Sequence, residues 1–252
     1  MLLAGLVLGS VVVAVALGNA PVTPAEGVRA LGSRLGGGAA PHTVADRVVW
    51  RLRLPRALLA LAVGGGLSVV GVAMQALVRN PLAEPYVLGI SGGASAGASL
   101  FYLGFLPPLL SRALSLPLAA FLGGLATITV VYLVARTGGP SGSGAARLSV
   151  ARLLLAGVAM SALMGAVTSF VTLASPEPGK LRAVLFWLLG SLAGTTWARL
   201  PLPVLAAVGA LGACWAFARP LDAMLLGEEP ARTLGVSVEA IKRGIIGGAA
   251  LV

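Results

Sequence analysis

The sequence predicts an all-α integral membrane protein, a polytopic helical bundle with six complete spans and the start of a seventh. Three observations predict it. Only 10% of the 252 residues are charged against 58% hydrophobic, with a mean hydropathy of +0.97, whereas a soluble domain carries about 25% charged residues. The charges are also spaced. They leave uncharged runs at 1–25, 57–78, 85–111, 113–135, 153–176 and 200–218, and a last run, 244–252, meets the chain end. About 20 apolar residues cross a bilayer core as a helix. The long runs lack the alternation of a barrel strand, which leaves the helix as the structure whose backbone satisfies itself in lipid.

Each element follows in order. Residues 2–18 are apolar and end at Gly18-Asn19-Ala20, which resembles a cleavage site, but no basic n-region precedes them; a first transmembrane helix is predicted rather than a signal peptide. Residues 19–56 form a polar connection holding Arg29, Arg34, Arg47, Arg51, Arg53 and Arg56, with one short interfacial helix near 44–50. A basic collar carrying Pro55 opens the second helix, 57–78, which is rich in glycine and small residues that allow close helix approach. The turn Arg79-Asn80-Pro81-Leu82-Ala83-Glu84-Pro85 follows, its two prolines stopping one helix before the next begins.

The third helix ends at Pro107 and Pro108, and the fourth covers 115–135. A Gly/Ser-rich loop, 136–148, leads to a fifth helix at about 151–174. Residues 175–182 form a turn, and 183–198 is apolar but broken by Gly190 and Gly194, predicting a short, partly buried helix on the outer side. The sixth helix runs from about 200 to 218. Residues 219–243 are polar with two short amphipathic pieces, and a seventh helix begins near Gly244. The chain is expected to be one transmembrane domain, 1–252, with 219–243 as a cytoplasmic loop within it.

Charge and motif content exclude several classes. The net charge of +10 is scattered between apolar runs, which argues against nucleic acid and fits helix-end anchoring to membrane lipid or docking of an acidic partner. With the N-terminus inside, the cytoplasmic loops hold eight of the 18 basic residues and the outer connections ten, so the positive-inside bias leans the wrong way. Either the orientation is inverted or the outer arginines have a task. Cys214 lies in an apolar run and reads as a packing residue, and His42 sits in a Gly/Pro loop and reads as solvated. There is no HExxH, Cys/His cluster or Walker motif, so no catalytic residue, no metal site and no P-loop are assigned. The spans contain no ionisable residue in mid-membrane, which disfavours an ion-coupled secondary transporter. Gln75 either bonds across helices or lines a pathway. The loop around 225–236 is either an ordinary surface loop or an amphipathic pair offered to a partner, since Leu225, Leu226, Leu234 and Val236 lie beside charges.

The order of several segments carries a resemblance. RLPR at 53–56, MQALVRNPLAEP at 74–85, LGISGGA at 88–94, LSVARLLLAGVAMSAL at 148–163, FWLLGSLAGTTW at 186–197 and LGEEPARTLGV at 226–236 occur in one sequence. Together they resemble the FecCD-type permeases, membrane subunits of type II ABC importers for iron-siderophores, haem and cobalamin.

The resemblance implies a homodimer in the bacterial cytoplasmic (inner) membrane. A cytoplasmic ABC ATPase dimer would carry ATP and Mg, this chain would hold no cofactor, and a periplasmic or lipid-anchored binding protein would deliver the substrate. Arg53 and Arg56 match outward-facing arginines that pair with glutamates of that binding protein. Leu226, Gly227, Glu228, Ala231, Leu234 and Gly235 match the segment that docks into the ATPase. Gln75, Asn80 and Pro81 match the QxxxxNPLA pattern of the translocation path, with Asn80 turning the chain rather than binding substrate. Val150 and Ala151 fall at the cytoplasmic gate, where the family places hydroxyl residues. Members have about ten helices, so the chain is expected to be C-terminally truncated and unable to transport alone; the alternative is a non-transporting scaffold that still binds the ATPase.

Overall fold

The structure is a computed structural model and describes residues 1–18, 20–36, 43–137, 148–175 and 177–251. Every regular element among them is helical. In order these are α1 (Leu2–Ala16), α2 (Pro24–Leu35), α3 (Val44–Val48), α4 (Leu54–Val78), α5 (Ile90–Tyr102), α6 (Pro108–Ala113) and α7 (Leu116–Thr137). There follow α8 (Val150–Leu173), α9 (Pro178–Leu188), α10 (Pro201–Ala216), α11 (Ala218–Leu225), α12 (Glu228–Thr233) and α13 (Val238–Leu251). His42 and Arg147 lie outside the described residues, as does most of the Gly/Ser-rich loop.

All the uncharged runs become helical, but their lengths differ. Val44–Val78, Leu116–Arg136 and Val150–Leu173 are long and apolar enough to cross a membrane, and α10 with α11 adds a fourth crossing if the pair, bent by 62°, counts as one. The run 1–25 yields a 15-residue helix. The run 85–111 is cut further: Pro85–Leu88 makes a 3-10 turn, Gly89 takes φ 81°, and the helix covers 13 residues before Gly104 at φ 79°. At 1.5 Å per residue that helix is about 20 Å long, short of a 30 Å core. Spacing of charges measures an apolar run, and glycine and proline decide how much of it coils.

Other elements depart from expectation too. Helix α9 takes up part of the predicted turn at 175–182 and stops at Leu188, short of 198, and α6 was not expected. The predicted interfacial helix at 44–50 is no separate piece, because α3 continues through a π turn, Val49–Arg53, into α4. Helix α2 was not anticipated. It is amphipathic, and it starts at Thr23 and Glu26, whose side chains exchange bonds with each other's backbone: Thr23 N–H donates to Glu26 Oε2 at 2.8 Å and Glu26 N–H to Thr23 Oγ1 at 3.4 Å. That reciprocal cap satisfies two otherwise orphaned donors.

By contact the chain divides into two compact units, Met1–Gly66 with Ser191–Gly209, and Leu67–Gly190 with Ala210–Val252. In the first, Val15, Ala30, Val49, Leu54 and Ala57 form a small core. Trp50 stacks on Trp197 with ring centroids 6.5 Å apart, and the Trp197 indole N–H donates to the Trp50 carbonyl at 2.7 Å.

The second unit is organised by close helix contact. A Cβ placed on Gly93 would strike Thr127 Oγ1, one on Gly97 the carbonyl oxygen of Ala119, and one on Gly123 the carbonyl oxygen of Gly93. Helices α5 and α7 therefore touch backbone to backbone, the arrangement that small residues permit where lipid supplies no hydrophobic drive. Val70, Met74 and Leu77 of α4 join Ile128 and Val131 of α7, Leu153 of α8, Leu221 and Met224 of α11 and Ile241 and Ile246 of α13 in one core. Much of α8 and α10 faces outward with large apolar side chains, among them Leu155, Phe170, Leu205 and Trp215.

Candidate functional site

The site is built where α11, α12 and α13 meet. Helix α11 is amphipathic and buries Leu221 and Met224 on one face. Gly227 then takes φ 124°, a conformation that side chains resist, and opens α12. Helix α12 carries Glu228 and Glu229 in its first turn and Arg232 in its last, the order a helix dipole favours. It ends in a Schellman motif: Gly235 sits at φ 80°, its N–H donates to Arg232 O at 2.9 Å, and Val236 N–H donates to Ala231 O at 3.0 Å.

The six residues singled out here by resemblance therefore do different things. Gly227 and Gly235 shape the backbone. Ala231 is fully buried and anchors α12 in the core, whereas Leu226 and Leu234 are 70% and 66% exposed. Glu228 turns inward, and its Oε1 meets Lys242 Nζ at 2.8 Å. Lys242 has no solvent exposure, donates to the carbonyl oxygen of Leu148 at 2.7 Å, and lies 3.8 Å from Glu239 Oε1. Arg232 stands at the rim, 3.8 Å from Glu228 and 3.9 Å from Glu239. Two cations and two carboxylates thus neutralise one another. Sequence reasoning missed Lys242 because it started the last helix at Gly244, whereas α13 begins at Val238.

Val150 and Ala151 open α8. Ser149 caps that helix by accepting from Arg152 N–H at 3.5 Å, Val150 packs on the core, and Ala151 is exposed. Gln75, Asn80 and Pro81 are brought together elsewhere, in a cleft of about 470 Å³ that they share with Arg79, Asp222 and Leu225. Val150 and Ala151 do not line it. Asn80 makes the turn expected of it: Oδ1 accepts from Leu82 N–H at 2.9 Å, an Asx turn after Arg79 at φ 53°.

The two arginines of RLPR are separated by the first unit. Arg53 is 8% exposed, and Nη1 donates to the carbonyl oxygens of Val15 at 3.0 Å and Ala16 at 2.9 Å, the last carbonyls of α1. It is a cation at a helix C-terminus, largely withdrawn from solvent. Arg56 is exposed and donates to Ala193 O at 3.3 Å. No group of three or more His, Cys, Asp or Glu gathers among the described residues.

Among the described residues the chain is all-helical, with apolar helices packed through glycine and a short capped helix near a cleft, an arrangement that fits a membrane protein. The chain belongs to the FecCD transport family, whose profile matches residues 6–252. It is 37% identical over 223 residues to the cobalamin import system permease protein BtuC of Halobacterium salinarum, covering 84% of this chain and 54% of that one. It is 43% identical over 192 residues to the achromobactin transport system permease protein CbrC of Dickeya dadantii, covering 76% and 50%. The chain spans about half the length of these curated relatives. A solved structure described as an inward-facing metal-chelate type ABC transporter aligns with TM-score 0.79 at 25% identity, covering 99% of this chain and 71% of that one.

Proposed function

We propose that the chain is the membrane-spanning permease subunit of an ABC importer in the bacterial inner membrane. Working as a homodimer, it takes an iron complex, haem or cobalamin from a binding protein and passes it inward. ATP and Mg bind the partner ATPase. The observation that carries the reading, beside family membership, is the exposed pair Leu226 and Leu234 on either side of α12, whose backbone is held by Gly227 and Gly235. Apolar side chains flanking a short, shaped helix fit a cleft of a partner protein. Differential contact of the ATPase with two permease states supplies the bias between them. Arg56 is the exposed candidate for pairing with carboxylates of the binding protein, and Arg53 supports the same collar from within. Gln75, Asn80 and Pro81 line the path, and Val150 and Ala151 stand at its gate.

The test is capture of the ATPase by the detergent-solubilised chain, unaltered against Leu226→Asp with Leu234→Asp, followed by ATP-driven uptake in vesicles. Loss of capture in the variant supports the docking role, and equal capture by both removes it. Uptake that needs ATP and ignores a proton uncoupler supports an ABC importer over an ion-coupled carrier. Capture without uptake favours a scaffold.

A further inference from the structure

Among the described residues, Lys242 is the largest side chain wholly closed off from solvent. Lysine is almost never buried without partners, and an apolar side chain of similar volume is often as stable or more so at such a place. Its presence therefore asks for a role other than filling space. Its ammonium joins three pieces of chain. It lies on α13, it meets Glu228 at the first position of α12, and it donates to Leu148 O, two residues before α8 begins. One turn earlier on α13, Glu239 Oε1 accepts from Leu148 N–H at 3.4 Å. Both backbone polar groups of Leu148 are thus held by side chains of α13, and Leu148 itself is 1% exposed.

We propose that Lys242, with Glu239, is a positioning residue that makes α12 and the start of α8 move as one piece. Displacement of α12 is then delivered to Val150 and Ala151 without loss. The proposal rests on α12 being the ATPase-docking segment. A six-residue helix cannot hold its place by its own hydrogen bonds, and Ala231 supplies a small apolar anchor without direction. The ion pair fixes register, the best-attested use of buried charge.

The test places spin labels at Ala151 and Thr233, both exposed, and reads their distance distribution in the full chain, alone and with the ATPase. The unaltered chain is expected to give one narrow distribution in both states. Lys242→Met combined with Glu228→Leu replaces the pair with apolar groups; it is expected to melt close to the unaltered chain and above Lys242→Met alone while losing the narrow distribution. A role in stability alone leaves the distribution narrow in that variant, and this result overturns the proposal. Glu239→Ala removes the acceptor of Leu148 N–H without altering the core, and an unchanged distribution there overturns it also. Failure of the unaltered chain to capture the ATPase overturns the docking reading alone, because the distances in the isolated chain still decide the hold.

Discussion

Lys242 Nζ donates to the backbone carbonyl of Leu148 at 2.7 Å, across 94 residues of sequence. With Glu228 at 2.8 Å it completes a charge-neutral junction where α8, α12 and α13 meet, closed to solvent at the lysine and 32% exposed at the carboxylate. Removing one member leaves the other only a longer contact, Arg232 at 3.8 Å for Glu228 and Glu239 at 3.8 Å for Lys242. Lys242→Met alone is expected to cost about 3 kcal/mol, read from unfolding in detergent, and adding Glu228→Leu is expected to recover most of it. Additive losses would mean that the two side chains do not act as a pair.

The glycines of α5 and α4 should respond oppositely to the same substitution. Gly97→Ala drives a methyl into the Ala119 carbonyl, whereas Gly71→Ala on α4 meets nothing within 4 Å. The first should cost about 2–3 kcal/mol through separation of α5 from α7. The second should be neutral or gain up to about 1 kcal/mol from helix propensity. Melting temperatures of the two variants in one detergent decide the matter.

Arg53 and Arg56, three residues apart, should separate stability from docking. Arg53→Ala strips the donors from Val15 O and Ala16 O, and about 2–3 kcal/mol of stability should go with them. Arg56→Ala should change stability by less than about 0.5 kcal/mol, yet weaken binding of the substrate-binding protein in a titration. Equal melting of both variants would mean that the Arg53 cap contributes nothing.

The start of α2 should depend on pH. Bonds from the Thr23 backbone and then its hydroxyl hold the Glu26 carboxylate below its ordinary value of 4.5, with the Arg29 charge assisting. A depressed carboxylate contributes stability above its unfolded value and loses it as pH falls through the folded one. Hydrogen-exchange protection across the first turns of α2 should therefore be level from neutral pH to about 5 and fall below 4.5. Glu26→Gln should flatten that profile. Persistence of the fall in the variant would assign the pH dependence to another group.

Composition and order together made the class of this protein readable. Long uncharged runs cannot be hidden in a soluble core, so membrane helices followed from the chain alone. RLPR, the NPLAEP turn and LGEEPARTLG placed it among the FecCD permeases. Asn80 was readable as a turn residue because its amide and the next proline act locally. Gly227 and Gly235 were readable as positions, and their left-handed backbone gives the reason.

The tertiary structure decided what depends on partners distant in sequence. Arg53 and Arg56 look alike in RLPR, and only the approach of the α1 C-terminus turns one of them inward. Lys242 had a trace in the sequence: Val238, Ile241, Ile245, Ile246 and Ala249 repeat at helical spacing, and the lysine falls on their stripe. A buried lysine cannot be told from a surface one until its acceptors are known. Leu148 O and Glu228 reach it only through the fold, because a carbonyl oxygen carries no signature in sequence and an ion pair needs both ends in place.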